Sequence, residues 1–516
     1  MSSRNRLLMP FIFSGLILLA ACGSSPKIST PPPTGSFSNA SLSGNYVIAA
    51  SGTSGNGFFS TVGVLQANGN GGFTGGVLDY NDPANLLLSQ AVGTSSSYKI
   101  TSDGRGTATV ATPSVTFSFD FVLDSTSHGL VTRYDGAGTG SGTLDLQTSL
   151  TQAQLAGSYS FGFVGVDTTG NSFATVGAFT LDATGNIMTG LEDLNDNRFA
   201  YPAQALTGNV TLNTTLNPVN ASAWTASLTT SSAFGKMTFD VFPIDSTHLR
   251  FIETDTVGIM AGDAFTQSTT LPSAGTLVYT ASGTDSGGFP LVAGGLMSFD
   301  GNLTVTSGIE DINDNGSISP APIAFTGSFT ALSGGRSTLI LNGFDNGAVG
   351  TTTFAAYPST GGLQLLEIDD AGATGGVAFP QSATTLASGQ GYGLNLTGAN
   401  INGEEDDIAE FTNTGGTLAG IVDFNDSGAL TFDQPFSGTY SADIANAGRG
   451  TIASNSFNLI SYVVGSTSLF IQSDTTQVGL GSYIEQTPTA KSNLAAAHLR
   501  VLSMKPSARK VIHHSH

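Results

Sequence analysis

An all-β fold built from four tandem repeats is what this chain predicts, and three observations carry the prediction. Of 516 residues, 67 are Gly, 10% are charged and 39% are hydrophobic, a composition too apolar for disorder and too rich in Gly for a helical protein. A Gly-apolar-x-Asp-x-Asn-Asp frame recurs as "GVLDYND" from Gly76, "GLEDLND" from Gly190, "GIEDIND" from Gly308 and "GIVDFND" from Gly420, at intervals of 114, 118 and 112 residues. The apolar period is two, as in "VTFSFDFVLD", where Val115, Phe117, Phe119, Phe121 and Leu123 alternate with smaller or polar residues, the pattern of a half-buried strand.

Two more landmarks keep the same order. A late Asp closes "VTRYD" at Asp135, "FIETD" at Asp255, "LLEID" at Asp369 and "FIQSD" at Asp474, and an opening tyrosine stands at Tyr46, Tyr159, Tyr279 and Tyr392. Together they define repeats over 41–150, 151–271, 272–386 and 387–487, each about 110 residues. In the first repeat, Gly, Asn, Asp and Pro punctuation separates eight strands: "GNYVIAAS", "FSTVGVLQA", "GGFTGGVLD", "SSSYKIT", "GRGTATVA", "VTFSFDFVL", "GLVTRYD" and "GTLDLQ". Links as short as "QANGNGG" are hairpins. Eight short consecutive antiparallel strands predict an up-and-down eight-stranded β-barrel, which leaves no free edge; a two-sheet β-sandwich is the alternative. The "LAGSY" opening followed by a meander resembles the lipocalin and avidin style of barrel; no ligand site is carried over from it.

The first 21 residues read as an address. Arg4 and Arg6 precede "LLMPFIFSGLILLAA", which is short for a membrane span and broken by Pro10. "LAAC", Leu19 to Cys22, resembles the lipobox of bacterial lipoproteins. The resemblance implies removal of 1–21, a lipid on Cys22, and a membrane held through that lipid; an ordinary secretory signal or short anchor helix is the alternative. Gly23 after the cysteine resembles cargo sorted to a Gram-negative outer membrane. Cys22 is the one cysteine, so no disulfide supports the fold. Residues 22–40 contain the triplet Pro31–Pro33 among small polar residues, the composition of a semi-rigid tether. Beyond Pro488 the repeats end, and "SNLAAAHLRVLSMK" reads as one short helix stopped by Pro506.

Charge narrows the partners. Eight of the 16 bases lie before the first repeat or in the tail 488–516, leaving eight against all 37 acids. A body of about −29 repels nucleic acid and favours cations. No enzyme constellation emerges. "GTDSGG" from Gly283 resembles the nucleophile segment of chymotrypsin-like proteases, and "AAAHL" around His498 its histidine segment, but the order is reversed and Ser286 aligns with turns in the other repeats. His128 and His248, in "DSTSH" and "DSTH", read as exposed turn residues. No P-loop, zinc pattern or nucleophile elbow is present.

The recurrent acidic frame is the candidate site. With the frame after the third strand and the late Asp after the seventh, both fall at one mouth of an up-and-down barrel. That groups Asp79 and Asp82 with Asp135; Asp193, Asn195 and Asp196 with Asp255; Asp311, Asn313 and Asp314 with Asp369, joined by Asp285 and Asp370; and Asp423, Asn425 and Asp426 with Asp474, joined by Asp406 and Asp407. "DINDNG", Asp311 to Gly316, has oxygen ligands at positions one, three and five and Gly at six, a pattern calcium favours. It also resembles the Asp-x-Asn-Asp-Asn linker of cadherins, although Pro322 stands where a bidentate Glu is expected. The competing reading is a strand end whose Asp and Asn bond their own turn amides. Function then divides into three classes: a surface-anchored binding or structural protein touching a cell-surface or matrix polymer; a carrier whose barrels enclose small ligands; and an enzyme of unknown type.

Overall fold

The structure is a computed structural model that describes residues 37–212, 224–231, 234–343, 350–369 and 371–488. Cys22, the signal and tether segments up to residue 36, Asp370 and the tail from 489 with its anticipated helix lie outside the described residues. The described residues are all-β, with antiparallel pairing throughout and, among them, two single-turn 3-10 segments, Asn39–Ser41 and Gln152–Leu155.

Barrel 1 comprises β1 (Ser43–Ser54), β2 (Gly57–Asn68), β3 (Phe73–Asp82), β4 (Asn85–Ala91), β5 (Ser97–Ile100), β6 (Arg105–Ala111), β7 (Thr116–Leu123), β8 (His128–Arg133) and β9 (Gly138–Leu146). Barrel 2 comprises β10 (Gly157–Asp167), β11 (Ser172–Leu181), β12 (Ile187–Asp196), β13 (Phe199–Leu212), β14 (Trp224–Thr230), β15 (Lys236–Asp245), β16 (His248–Glu253) and β17 (Gly258–Thr266). Barrel 3 comprises β18 (Gly275–Thr284), β19 (Pro290–Phe299), β20 (Thr304–Asp314), β21 (Ser317–Ile318), β22 (Ile323–Phe329), β23 (Ser337–Asn342), β24 (Thr351–Pro358), β25 (Leu363–Glu367) and β26 (Ala373–Pro380). Barrel 4 comprises β27 (Gln390–Asn400), β28 (Glu404–Thr414), β29 (Thr417–Asp426), β30 (Ala429–Ala442), β31 (Arg449–Ser454), β32 (Asn458–Val463), β33 (Thr467–Gln472) and β34 (Gln477–Glu485).

Each unit is an eight-stranded meander whose first and last strands pair, and the fourth strand explains the differences. In barrels 2 and 4 it is one 14-residue strand, β13 or β30, that pairs with the third strand by one half and the fifth by the other. In barrel 1 it is broken into β4 and β5, so "NLLLSQA" is a strand segment the sequence reading passed over. The seam is bridged by Phe73 N–H to Ser96 O at 3.1 Å and Tyr98 N–H to Gly71 O at 2.9 Å. In barrel 3 the break leaves the short β21 ahead of β22.

The interiors are filled by side chains. Phe117, Phe119, Phe121 and Leu123 point into barrel 1 as the alternation predicts, and ring pairs such as Phe161–Phe163, with centroids 4.7 Å apart, fill barrel 2. Some strands, however, are buried on both faces: every residue of β8, β16, β25 and β33 is buried. The outer faces are covered by neighbouring barrels.

The four barrels form a closed ring. The first three strands of each barrel pack on the last three of the next, through Val47, Val62 and Val64 against Phe242 and Ile252, Ala174 and Val176 against Ala355 and Tyr357, and Val278 and Val292 against Ile460 and Tyr462. Barrel 4 returns to barrel 1 through Ile408 and Ile484 against Val122 and Leu130. One head-to-tail interface, used four times, closes because its rotation does. A glutamine after each last strand marks the joints. Gln147 Nε2 donates to Pro243 O at 2.7 Å, Gln381 Nε2 to Val463 O at 2.8 Å and Gln486 Nε2 to Leu123 O at 2.9 Å. The backbone of the next residue follows suit, with Thr148 N–H on Ile244 O, Ser268 N–H on Pro358 O, Ser382 N–H on Val464 O and Thr487 N–H on Asp124 O. The last of these joins the end of barrel 4 to barrel 1.

Candidate functional site at the barrel junctions

The acidic frame lies inside the third strand of each barrel, not in the link after it: β3, β12, β20 and β29 run through Asp82, Asp196, Asp314 and Asp426. Its middle Asn is the joint. Asn81 Nδ2 donates to Glu253 O at 3.0 Å, and Asn195 Nδ2 to Glu367 O at 2.9 Å and Gly372 O at 3.2 Å. Asn313 Nδ2 reaches Gln472 O, Asp474 O and Gln477 O, and Asn425 Nδ2 reaches Arg133 O at 2.6 Å and Gly138 O at 2.9 Å. Each frame is thereby bonded to the loop carrying the late Asp of the following barrel. Three of these asparagines also bond their own turn: Asn195, Asn313 and Asn425 Oδ1 accept from Arg198, Gly316 and Gly428 N–H at 2.8, 2.9 and 2.8 Å. In barrel 1 Asp82 takes this part, accepting from Ala84 and Asn85 N–H at 2.8 Å each and from the Tyr80 hydroxyl at 2.7 Å.

The first Asp of the frame sits at a bulge. In barrels 1, 2 and 4 the register with the fourth strand shifts at Asp79, Asp193 and Asp423. Each carboxylate accepts the amide of a residue with positive φ, namely Ser89, Ala203 or Asp433. Its other side faces the next barrel, and there the junctions differ. Asp193 receives Arg336 Nε and Nη2 at 2.7 Å each and the Tyr357 hydroxyl at 2.5 Å. Asp311 receives Arg449 Nε and Nη2 at 2.8 Å each and the Tyr462 hydroxyl at 2.6 Å. Burial first, then these carboxylates, hold both tyrosines well above the usual phenol range.

At the two junctions of barrel 1 an aspartate replaces that arrangement. By register, Asp120 and Asp240 occupy the strand position that Ala355 and Ile460 hold in barrels 3 and 4. Asp79 faces Asp240, and burial and then this like charge raise its pKa well above the ordinary value; burial also raises Asp240. Asp423 faces Asp120, which burial, then Asp423 and Asp433, push up to about 8 against the pull of Arg105. The ring-closing junction gathers further acids: Asp406 accepts from Thr139 at 2.7 Å and Ser141 at 2.6 Å, and the Thr53 hydroxyl bonds Glu404.

The late aspartates end their strands. Asp135 accepts Ala137 N–H and Arg133 Nε, Asp255 accepts Thr238 and Val257 N–H, Asp369 accepts Thr353 and Ala371 N–H, and Asp474 accepts Asn458 N–H. The second frame aspartates of barrels 2, 3 and 4 are more open than Asp82: Asp196 adjoins Asp167, and Asp426 shares Asn400 Nδ2 with Glu405. Among the described residues no group of three or more His, Cys, Asp or Glu is placed to hold a metal ion.

His128 and His248 correct the reading of exposed turns: both are buried, 4% and 7% exposed, because barrels 1 and 2 meet over them. His128 lies 3.0 Å from Asp124 and 3.8 Å from Asp145; His248 lies 2.8 Å from Asp263. Arg250, fully buried, links the two sides, with Nε 2.8 Å from Asp263, Nη1 2.7 Å from Thr143 and Nη2 3.4 Å from Asp145. Burial pulls the His128 pKa down, but the Asp124 and Asp145 carboxylates outweigh it and push it up to about 9.

This same junction holds a groove of about 660 Å³. Its floor is the buried apolar group Phe58, Val166 and Ile259, and Asp82, Asp167 and Asp255 line it. Arg336, Arg449 and the Gln-Ser/Thr pairs were overlooked in the sequence; "GR" or "GK" before the strand that follows, and "Q[ST]" after each last strand, are the signals that mark them.

No protein-family model matches the sequence, and no curated protein matches it. Among solved structures, the isotype 1 transferrin binding protein B from serogroup B Neisseria meningitidis is similar over 69% of this chain and 84% of that one, at 8% identity and a TM-score of 0.18. At those values the likeness carries no argument about function.

Proposed function

We propose that the chain is a lipid-anchored protein of a bacterial envelope that presents the four-barrel ring as a rigid binding surface, with a cell-surface or matrix polymer as the class of partner. The observation that carries this reading is the ring itself. Four barrels whose interiors are occupied by Phe, Tyr and Leu side chains, and whose joints are buried, spend their sequence on a fixed outer surface. The small-ligand carrier finds less support, since its ligand would have to displace those cores. The "LAAC" stretch supports the anchor and Gly23 an outer-membrane address. Calcium enters this reading only at the more open second aspartates, Asp196, Asp314 and Asp426.

The test is fractionation of the native chain beside Cys22→Ala, with the mass of the mature N-terminus measured in both. The wild type is expected to partition with membranes and detergent and to carry acyl mass. Equal membrane retention by a Cys22→Ala protein that has been cleaved would overturn the anchor. Binding of the released ring to isolated envelope polymers checks the second half of the proposal; no retention on any of them would refute it.

A further inference from the structure

The four junctions are built alike, so a difference between them is informative. In barrels 2, 3 and 4 the turn after the acidic frame is Asn197-Arg198, Asn315-Gly316 or Ser427-Gly428, with both residues at positive φ: 49° and 79°, 49° and 85°, 52° and 93°. That is the two-residue hairpin turn that follows the strand twist. These turns lie against the neighbouring barrel. A Cβ on Gly316 would stand 2.2 Å from Thr475 O, a Cβ on Gly428 would stand 2.9 Å from Gly136 O, and Arg198 donates to Ser286 O. In barrel 1 the same place holds Pro83-Ala84. Proline fixes φ near −65°, so this turn cannot form and the hairpin takes another path. The groove of about 660 Å³ opens at that junction, lined by Pro83 and Ala84 on one side and Thr256 on the other.

We propose that the groove between barrels 1 and 2 is a binding site for a cationic group carried on an apolar stem, such as the amine or guanidinium of a partner's basic side chain. Its volume falls in the range of ligand sites, about 300–1,000 Å³. Phe58, Val166 and Ile259 supply an apolar floor, and Asp82, Asp167 and Asp255 supply negative charge, while among the described residues no Lys, Arg or His lines it. Asp167 is held ionised by the amides and side chains of Thr169 and Asn171, at 2.8 to 3.2 Å. A cation entering here meets fixed charge and surrenders its stem to the floor. An anion meets three carboxylates. The proposal is independent of the anchor.

Benzamidine, benzamide and benzoate share a ring and differ in charge, so they serve as the probes. Titrated into the full chain bearing Cys22→Ala, benzamidine is expected to bind about tenfold tighter than benzamide, with benzoate unbound. Asp167→Asn keeps the Oδ1 that accepts both turn amides, from Thr169 and Asn171, and is expected to weaken benzamidine several-fold without changing benzamide. Thr256→Trp fills the groove and should abolish binding of both, with an unchanged melting temperature showing that the ring is intact. Absence of saturable benzamidine binding, equal affinity for benzamide, or benzamidine affinity untouched by Thr256→Trp would each overturn the assignment.

Discussion

Asp120 is expected to make the ring less stable as pH rises, and removing its charge should reverse this. The residue lies on β7 of barrel 1, 6% exposed, where barrels 3 and 4 have alanine or isoleucine. Its ordinary pKa is 3.8; burial, then Asp423 and Asp433, push it up to about 8, with Arg105 opposing. A carboxyl whose folded pKa is raised contributes stability that is full below its unfolded pKa and is lost as pH climbs through the folded one. The window is therefore from pH near 4 to pH near 8. With ~1.36 kcal/mol per pKa unit, the roughly three units between 3.8 and pH 7 amount to about 4 kcal/mol. An asparagine at this position still buries a polar amide in place of the carboxyl, which offsets part of the gain. Asp120→Asn, which cannot ionise, is accordingly expected to stabilise the protein by about 2–4 kcal/mol at pH 8 and by under ~0.5 kcal/mol at pH 4. Urea unfolding followed by circular dichroism at pH 4, 6 and 8 measures this. A gain of equal size at pH 4 and pH 8, or a loss that grows with pH, would refute the reasoning.

The junctions built on arginine should behave in the opposite way. Arg449→Met leaves Asp311, 1% exposed, with the Tyr462 hydroxyl but without its guanidinium, a loss of about 3–5 kcal/mol; adding Asp311→Asn should recover part of it in a double-mutant cycle, and a cost below ~1 kcal/mol would place the pair among weak surface bridges. For calcium, Asp193 and Asp311 already accept two guanidinium hydrogen bonds and a tyrosyl hydroxyl each, so an ion would have to displace an arginine. We expect any calcium-selective rise in melting temperature, measured against magnesium and chelator, to survive Asp311→Ala; a rise that disappears in that variant would make the first frame aspartate a metal site. His128, pushed up to about 9, should keep its charge through neutral pH, and its contribution, full below about 6.5, should fade as pH passes 9; NMR titration of the His128 ring with a midpoint at or below 6.5 would contradict the Asp124 contact.

Much of the fold was legible because its causes are local. A period of two with Gly, Asn and Asp punctuation specifies short antiparallel strands, and landmarks returning every 112 to 118 residues count the barrels without any knowledge of where they sit. Alternation also named the inward residues, such as Phe117, Phe119 and Phe121. What it cannot show is whether the outward face meets water or another barrel. Val122 and Asp120 alternate outward and are buried all the same, 1% and 6% exposed, because barrel 4 covers them. His128 read as a turn residue for the same reason. The acidic frame was recognised as recurrent, but its partners are remote in the chain: Asn425 bonds residues 292 and 287 positions away, and Asp311 pairs with Arg449 138 positions away. Oxygen-rich side chains suit a turn, a cation or an interface equally well, and only the donor brought opposite them decides. The chain by itself determined four tandem antiparallel β units and most of their strands; tertiary structure decided that each closes as a barrel and that the four close into a ring, since closure depends on the rotation at each joint, a quantity no single repeat encodes.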